Sequence, residues 1–311
     1  MALFRLDFRK TSITATWVVV LLFLYLTFFT AEIRQSAPAP ALAPSTPAQA
    51  PVDAVVYISL GAISYNSIVD YSVATLRDVG QWTGEIYVLT DHQSCFTDLA
   101  LKHKVETILV PEAKTTMEIK SLKAKIFEYL PVKVNAALYI DVDIIIAKQM
   151  HSFLNDLSVQ LADAKATQKS VDMGAFYDAK GHYVGWCSGC EKWHTGVLLL
   201  FREAGGECLE AWGSTMLSGR FDTDQESLDD AEIKGSCKSI LPFGSPHLLF
   251  AKDYIAMALT SGSTFWHVTA ANRMKDQDYF YREVVVPNLY SSLSDKVDPN
   301  VLDLTMHKNC G

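Results

Sequence analysis

The segment LYIDVDIII, Leu138 to Ile146, places two aspartates inside a run of large apolar side chains. A strand buried in a parallel sheet is typically such a continuous apolar run, and an unpaired carboxylate within it would cost several kcal/mol. Side chains at positions i and i+2 of a regular strand point to the same side, so Asp141 and Asp143 would repel each other unless a cation lay between them. We therefore expect a compensating cation, most simply a divalent metal ion.

The sequence on either side of this segment alternates apolar strands with amphipathic helices. The predicted strands are VVYISL (55–60), EIYVLTD (85–91), VETILVP (105–111) and ALYIDVDIII (137–146), and the predicted helices cover about 67–79, 99–104 and 119–131. Strands that alternate with helices form βαβ units with right-handed crossovers. The predicted fold class is therefore α/β, with a mostly parallel central sheet.

The position of the aspartates within the last predicted strand indicates a ligand site. In open α/β sheets, ligands bind beyond the carboxyl ends of the strands. We interpret Ala137 to Ile140 as the buried strand, with Asp141 and Asp143 emerging at its end. A pair of aspartates after a strand also occurs in turns and helix caps, and the motif alone leaves that alternative open.

The composition is that of a folded chain with room for a large core. Of its 311 residues, 49% are hydrophobic and 20% are charged, which suffices for one large domain or two small ones. The net charge is -8, and no basic stretch is long enough to follow a phosphate backbone. These features argue against nucleic acid and favour small molecules, membranes or proteins as partners.

The N-terminal sequence predicts a membrane anchor. Residues 1–10 carry three basic side chains and one acid, and residues 11–31 carry no charge over a length sufficient to span a bilayer. We expect an uncleaved transmembrane anchor at 11–31, with the tail 1–10 in the cytosol because of the positive-inside rule. The alternative is signal cleavage near Ala37 to Ala41, where prolines disfavour it.

A proline- and alanine-rich stretch follows the predicted anchor. Residues 32–53, which include SAPAPALAPSTPAQAP, are expected to form an extended stalk, either as a plain spacer or with O-glycans. The predicted globular domain is 54–311. A tail, one span, a stalk and a globular domain make up a type II membrane protein whose domain faces the secretory lumen.

The cysteine content agrees with such a compartment. There are six: Cys95, Cys187, Cys190, Cys208, Cys237 and Cys310. Lumenal thiols tend to pair, although the sequence does not give the connectivity. The CSGC motif at 187–190 favours a structural disulfide over a zinc site or a redox pair, because no second CxxC or HxxxH lies at zinc-site spacing.

Several motifs occur in an order that resembles a known group of enzymes. They are SLGAISY, EIYVLTD, KAKIFEYLP, LYIDVDIII, WHTGVLLLF, DTDQESL, LPFG and FWHVTAANRMK, and together they span roughly 55–275. This arrangement resembles the nucleotide-sugar glycosyltransferases of the GT-A fold, most closely the family 8 retaining enzymes of the glycogenin and bacterial galactosyltransferase type. The resemblance implies a Rossmann-like domain that binds a UDP-sugar and Mn²⁺ or Mg²⁺.

The resemblance also implies a set of metal ligands. Asp141 and Asp143 would hold the metal together with a ribose or sugar hydroxyl, and His267 would be the third ligand. Carboxylates suit both ions, and Mn²⁺ also accepts an imidazole. His247 in GSPHLLF is an alternative to His267.

Four further residues are predicted by the resemblance to contact the donor. Tyr65 would pack on the nucleobase, Lys123 would take the place of an arginine that contacts the donor, Arg273 would meet the diphosphate, and Asp178 would contact the donor sugar. The alternatives are ordinary packing for Tyr65 and a solvated helix face for Lys123. The usual H-x-x-G-x-x-K motif here reads HVTAANR, so arginine replaces lysine, and the two cations are not equivalent.

Two residues of DTDQESL are the candidate catalytic groups. By the resemblance, Asp224 would hold sugar hydroxyls and Gln225 would face the reacting carbon. The alternative is that both residues simply form the polar start of a helix. His194 in WHTG stands where asparagine is common. The resemblance implies a transferase acting with retention on a glycan, protein or lipid hydroxyl, and the predicted type II topology adds that it is a Golgi enzyme. An inverting GT-A enzyme and a lumenal scaffold protein without activity are the alternatives.

Overall fold

The computed structural model describes residues 51–61, 64, 68–177, 193–243, 248–250 and 263–268. The chain divides into two compact units, Met1–Gln49 and Ala50–Gly311, and every described residue lies in the second. Within these described ranges, no helix is both long and apolar enough to cross a membrane. The predicted tail, the anchor at 11–31 and most of the stalk lie outside them, so those assignments stay predictions.

Ten strands and six α-helices are described. The strands are β1 (Ala54–Ser59), β2 (Glu85–Thr90), β3 (Glu106–Leu109), β4 (Ala136–Ile140), β5 (Ile144–Ile146), β6 (Met173–Tyr177), β7 (Trp193–Phe201), β8 (Ile240–Phe243), β9 (Leu248–Phe250) and β10 (Phe265–His267). The helices are α1 (Ile68–Asp78), α2 (Thr97–His103), α3 (Thr116–Tyr129), α4 (His151–Ala166), α5 (Gly206–Met216) and α6 (Asp224–Ile233), and a short 3₁₀ helix, Gln93–Phe96, precedes α2.

The central sheet has seven strands in the order β3-β2-β1-β4-β7-β6-β8. Of these, β7 runs antiparallel to both its neighbours, and the other described pairings are parallel. A smaller sheet has the order β5-β10-β9, with β10 antiparallel to β5 and parallel to β9. The prediction of an α/β fold with a mostly parallel central sheet is confirmed.

The helices cover both faces of the central sheet. Alternate residues of β1 point to opposite sides: Val56 belongs to a buried cluster with Trp212 of α5, and Val55 belongs to one with Val73 of α1 and Phe153 of α4. Because both faces are buried, the strands are apolar throughout. The ends of the strands are therefore where polar side chains can gather.

Local signals define the helix that carries the predicted donor contact. Thr115 caps α3 by accepting a hydrogen bond from the Glu118 amide at 3.1 Å, and the Glu118 carboxylate accepts one from the Lys114 amide at 2.6 Å. The helix ends at Tyr129, shortly before Pro131, as the sequence predicts.

The segment that was predicted as one strand, ALYIDVDIII, forms two. Strand β4 ends at Ile140, a turn follows in which the Ile144 amide donates to the Asp141 carbonyl at 3.1 Å, and β5 then joins the smaller sheet. The break lies at the aspartates because their side chains would otherwise be buried inside a continuous strand. Both aspartates follow the end of the apolar half, where Asp141 is half-buried and Asp143 is buried.

Candidate metal and donor site

Three predicted metal ligands lie together at the carboxyl end of β4. One ligand atom from each of Asp141, Asp143 and His267 lies within 4.8 Å of the others. His267 reaches this position because β10 pairs with β5, placing His267 opposite Ile144, and because the Val268 amide donates to the Asp143 carbonyl at 2.9 Å. Residues distant in sequence thus form one cluster.

The donor set fits a divalent ion such as Mn²⁺. It comprises two carboxylates and one imidazole, and His267 Nε2 lies 3.1 Å from Asp143 Oδ1. Burial opposes a positive charge on His267, yet the Asp143 carboxylate raises the pKa of that imidazole. Oxygen ligands with one nitrogen are compatible with Mn²⁺, and the two like charges are balanced by a dication.

One oxygen of Asp141 is fixed by two donors. The Tyr139 hydroxyl donates to Asp141 Oδ1 at 2.5 Å, and the Lys123 ammonium lies 3.0 Å from the same oxygen. Burial and the nearby Asp141 carboxylate raise the pKa of Tyr139 well above its usual value, so this phenol keeps its proton. With Oδ1 held in this way, Oδ2 is the oxygen left for a metal.

A glycine of β7 allows the close approach on the Oδ2 side. The Asp141 amide donates to the Gly196 carbonyl at 2.7 Å. A Cβ atom added at Gly196 would lie 3.0 Å from Asp141 Oδ2 and 2.5 Å from Cε1 of His194. A side chain at this position would therefore displace either the Asp141 carboxylate or the neighbouring His194 imidazole.

Lys123 is a buried cation that joins two parts of the site. Its Nζ lies 3.1 Å from the Thr195 carbonyl, 2.7 Å from Asp224 Oδ2 and 3.0 Å from Asp141 Oδ1. Burial opposes its charge, but Asp141 and Asp224 together raise the pKa of Lys123. All three N–H groups of Lys123 therefore have protein acceptors. The predicted contact of Lys123 with the sugar donor stays a prediction.

The two candidate catalytic residues begin helix α6. Thr223 caps the helix by accepting from the Glu226 amide, so the Asp224 carboxylate is not the cap. That carboxylate is contacted by Lys123, by Lys120 Nζ at 3.0 Å from Oδ1, and by the Thr195 hydroxyl at 2.6 Å from Oδ2. Burial would raise the pKa of Asp224, but the two lysines outweigh it and hold the pKa far below the usual range.

Gln225 follows Asp224 and is half-buried. Within the part of the chain that the structure describes, its side-chain amide makes no hydrogen bond. The backbone beside it is fixed, because the Trp212 indole donates to the Asp224 carbonyl at 3.1 Å and to the Ser227 hydroxyl at 2.9 Å. Gln225 is thus an amide on a rigid helix start.

His194 lies against the predicted metal ligand His267. The ring centroids are 4.9 Å apart in an edge arrangement, and His194 Nδ1 accepts a hydrogen bond from the Gly196 amide at 3.1 Å. Burial lowers the pKa of His194 well below its ordinary value, so this ring is neutral. His194, where the enzymes that this chain resembles commonly have asparagine, thus packs against the predicted ligand His267.

The sequence interpretation missed four residues of this region: Lys120, Tyr139, Thr195 and Asp91. Asp91, directly after β2, accepts hydrogen bonds from the Gly61 amide at 3.1 and 2.9 Å and from the Ser64 hydroxyl at 3.1 Å. It thereby fixes the chain just after β1. Its place at the carboxyl end of a parallel strand is a signal that could have identified it.

The remaining predicted contacts cannot be placed. Tyr65, Asp178 and Arg273 lie outside the described residues, as do His247 and the CSGC motif. Their predicted roles stay predictions.

A disulfide lies behind the α6 helix. Cys208 of α5 and Cys237, after α6, are bonded with a sulfur–sulfur distance of 2.07 Å, and both are buried. The expected pairing of thiols is confirmed for these two cysteines. The bond encloses the segment that carries Trp212, Asp224 and Gln225.

No protein-family profile and no curated protein matches the sequence. Among solved structures, the chain is similar to the glycosyltransferase GlyE of Streptococcus pneumoniae TIGR4, with a TM-score of 0.50 and 13% identity over 79% of this chain and 64% of that one. It is also similar to a galactosyltransferase, LgtC (TM-score 0.47, 13% identity, 76% of this chain and 95% of that one). Mouse xyloside xylosyltransferase 1 gives a TM-score of 0.44 and 8% identity over 69% of this chain and 97% of that one.

The likeness to GlyE shows the fold. The chain has the α/β fold of GT-A glycosyltransferases, and a possible metal site of the D-x-D type lies at the carboxyl end of its fourth strand.

Proposed function

We propose that this chain is a metal-dependent glycosyltransferase that moves a sugar from UDP to a hydroxyl of a glycan, protein or lipid acceptor. The observation that carries the proposal is the convergence of Asp141, Asp143 and His267 at the carboxyl end of β4. In an α/β sheet of this kind that edge is where ligands bind. The fold is one that glycosyltransferases use, which supports the same reaction class.

The metal would be held by these three residues. A bound Mn²⁺, or Mg²⁺, would supply a positive charge beside the diphosphate as that group departs. The protein's own part is to orient the ligands: Tyr139 and Lys123 hold Asp141 Oδ1 in place. Arg273 on the diphosphate, Tyr65 on the nucleobase and Asp178 on the donor sugar belong to the same proposal.

We further propose that the reaction retains the configuration of the donor. A base that deprotonates the acceptor is required for inversion, and the amide of Gln225 is too weakly basic for that role. Its oxygen dipole can instead stabilise positive charge at the reacting carbon, while the departing phosphate oxygen takes the proton. Nuclear magnetic resonance of the product tests this: an α linkage is expected from an α-linked donor, and a β linkage would overturn retention.

The metal assignment is tested by UDP binding. Calorimetric titration of the full chain should show UDP binding in Mn²⁺ and its loss in EDTA. Asp143→Asn keeps the shape of the side chain but removes its charge, so it should weaken Mn²⁺-dependent binding by at least about 10-fold. Asp163→Asn, at an exposed position on α4, is the matched control and should bind as the unaltered chain does. Equal UDP affinity in EDTA and in Mn²⁺ would refute the proposal.

We also propose a type II topology in the Golgi membrane. The uncharged stretch 11–31 and the basic residues before it support an anchor, and a buried disulfide is typical of an oxidising compartment. Protease added to sealed microsomes should spare the globular domain. Digestion of that domain in intact vesicles would place it in the cytosol.

A further inference from the structure

Two lysines one helical turn apart on α3 contact the same carboxylate. Lys120 Nζ lies 3.0 Å from Asp224 Oδ1, and Lys123 Nζ lies 2.7 Å from Asp224 Oδ2. Residues three apart lie on one face of a helix, so both point toward the start of α6. They differ, however, in how much of each ammonium group remains available to a ligand.

Lys123 has no N–H donor left for a ligand. An ammonium group has three, and Lys123 directs them at Asp141, Asp224 and the Thr195 carbonyl. Its side chain is only 5% exposed. Direct contact of Lys123 with a nucleotide-sugar would require one of these buried contacts to break.

Lys120 is open on the same side of the helix. Its side chain is 28% exposed, and Asp224 Oδ1 is its one acceptor among the described residues. Two of its N–H donors have no acceptor among the described residues and could bind oxygen atoms of a ligand. Asp224 holds the ammonium group in place, which reduces the entropy lost when a ligand binds it.

The contacts also indicate which part of a donor Lys120 would meet. They run in series from the metal ligand Asp141 to Lys123, then to Asp224, and then to Lys120. The diphosphate would lie beside the metal ligands, and Lys120 lies at the opposite end of the series, in contact with Asp224, which Gln225 follows in the helix.

We propose that Lys120 binds oxygen atoms of the transferred sugar, and that Lys123 is a positioning residue that holds Asp141 and Asp224 without touching the donor. This inference depends on the proposed function, because it names the residue that recognises the sugar in that same site. The sugar oxygens to which Lys120 would donate are those of hydroxyls or of the carboxylate of a uronic acid.

The test compares UDP with UDP-sugars on the full chain in Mn²⁺. UDP-glucose, UDP-galactose, UDP-xylose and UDP-glucuronic acid are screened by calorimetry, and the tightest is used for the variants. Lys120→Met should leave UDP affinity within about twofold but weaken the UDP-sugar by about 10- to 100-fold, the range for losing a hydrogen bond to a charged group. Lys120→Arg keeps the cation and should recover part of this loss.

The controls separate the possible failures. Lys125 lies on the same helix but lines a groove between α3 and α5. Lys125→Met should therefore change neither the UDP affinity nor the UDP-sugar affinity. If Lys120→Met weakened UDP and UDP-sugar equally, the contact would be to the diphosphate and the inference would be wrong; unchanged UDP-sugar binding would also overturn it. If the unaltered chain bound neither ligand in Mn²⁺, the proposed function itself would fail.

Discussion

Replacing Lys123 by methionine is the sharpest test of how the site is built. Methionine has a similar length and suits a buried position, so the variant removes the charge and leaves most of the packing. What remains is two carboxylates without their shared cation: Asp224, with Lys120 and Thr195 as its other side-chain contacts, and Asp141, with Tyr139. The perturbation thus isolates the electrostatic contribution of one ammonium group.

The expected cost follows from the burial of that group. Lys123 and Asp224 are 5% and 6% exposed at their side chains, and removing one partner of a buried ion pair costs about 3–5 kcal/mol. For a domain of this size, about 2–4 °C is lost per kcal/mol, so the melting temperature should fall by about 6–20 °C. This loss of unfolding free energy should far exceed the loss in Lys125→Met, whose stability is expected to lie within about 0.5 kcal/mol of that of the unaltered chain.

The dependence on pH has a definite sign. The pKa of Asp224 is depressed in the folded state, so its contribution to stability is present above the unfolded pKa of about 3.9 and is lost as the pH falls through the folded value. Lys123 has a raised pKa, so its contribution is present below about 10.4 and is lost as the pH rises. In Lys123→Met the Asp224 carboxylate has lost this cation, so the stability difference from the unaltered chain should narrow as the pH falls below about 3.9, where the contribution of Asp224 to the unaltered chain begins to be lost.

Urea denaturation followed by tryptophan fluorescence measures these differences. The chain has six tryptophans, so the signal follows unfolding as a whole; Trp212, which is fully buried and donates to the Asp224 carbonyl, contributes to it from the start of α6. The double variant Lys123→Met, Asp224→Asn should lose less than the sum of the single losses, by about 0.5–3 kcal/mol. A cost below about 1 kcal/mol for Lys123→Met, or additive losses in the double variant, would refute the assignment of a buried positioning cation.

Three other variants probe separate features. Gln225→Ala should lower turnover by about 10- to 1000-fold with little change in donor affinity, as measured by UDP release; a large loss of affinity instead would show that Gln225 binds rather than stabilises. Gly196→Ala should weaken Mn²⁺-dependent UDP binding in calorimetry, because the new Cβ would lie 3.0 Å from Asp141 Oδ2; an unchanged affinity would contradict the close packing described. Replacing Cys208 and Cys237 together by alanine should cost about 3 kcal/mol in urea denaturation, and a loss below about 1 kcal/mol would be inconsistent with a stabilising crosslink.

Periodicity predicted the first four strands well because each is a local apolar pattern bounded by a helix or a turn. It did not predict the smaller sheet. Strands β5, β9 and β10 have three residues each, too few to show a period, and β5 pairs with β10 from a distant part of the chain. The antiparallel direction of β7 was also not predicted, because hydrophobicity carries no information on strand direction.

The candidate site also contains residues that the sequence predicted and residues that it did not. Asp141, Asp143 and His267 were predicted as a set, and the structure brings them together. The burial of Lys123 between Asp141 and Asp224 could not be predicted, because a lysine in KSLKAK has the same local pattern whether it is solvated or buried. Tyr139 and Thr195 resemble ordinary strand residues, and only their contacts identify them as part of the site.

Under the proposed function, the charges of the described residues of the site favour binding of a metal ion. Asp141, Asp143 and Asp224 are opposed by Lys120 and Lys123, which leaves one net negative charge when His267 is neutral. This charge alone would not attract a diphosphate to this edge of the sheet. A divalent ion between Asp141 and Asp143 reverses the sign and leaves one net positive charge, which favours the diphosphate. Because Lys123 neutralises part of the carboxylate charge, the described cluster carries only a small negative charge without a metal, and a bound divalent ion would make it positive.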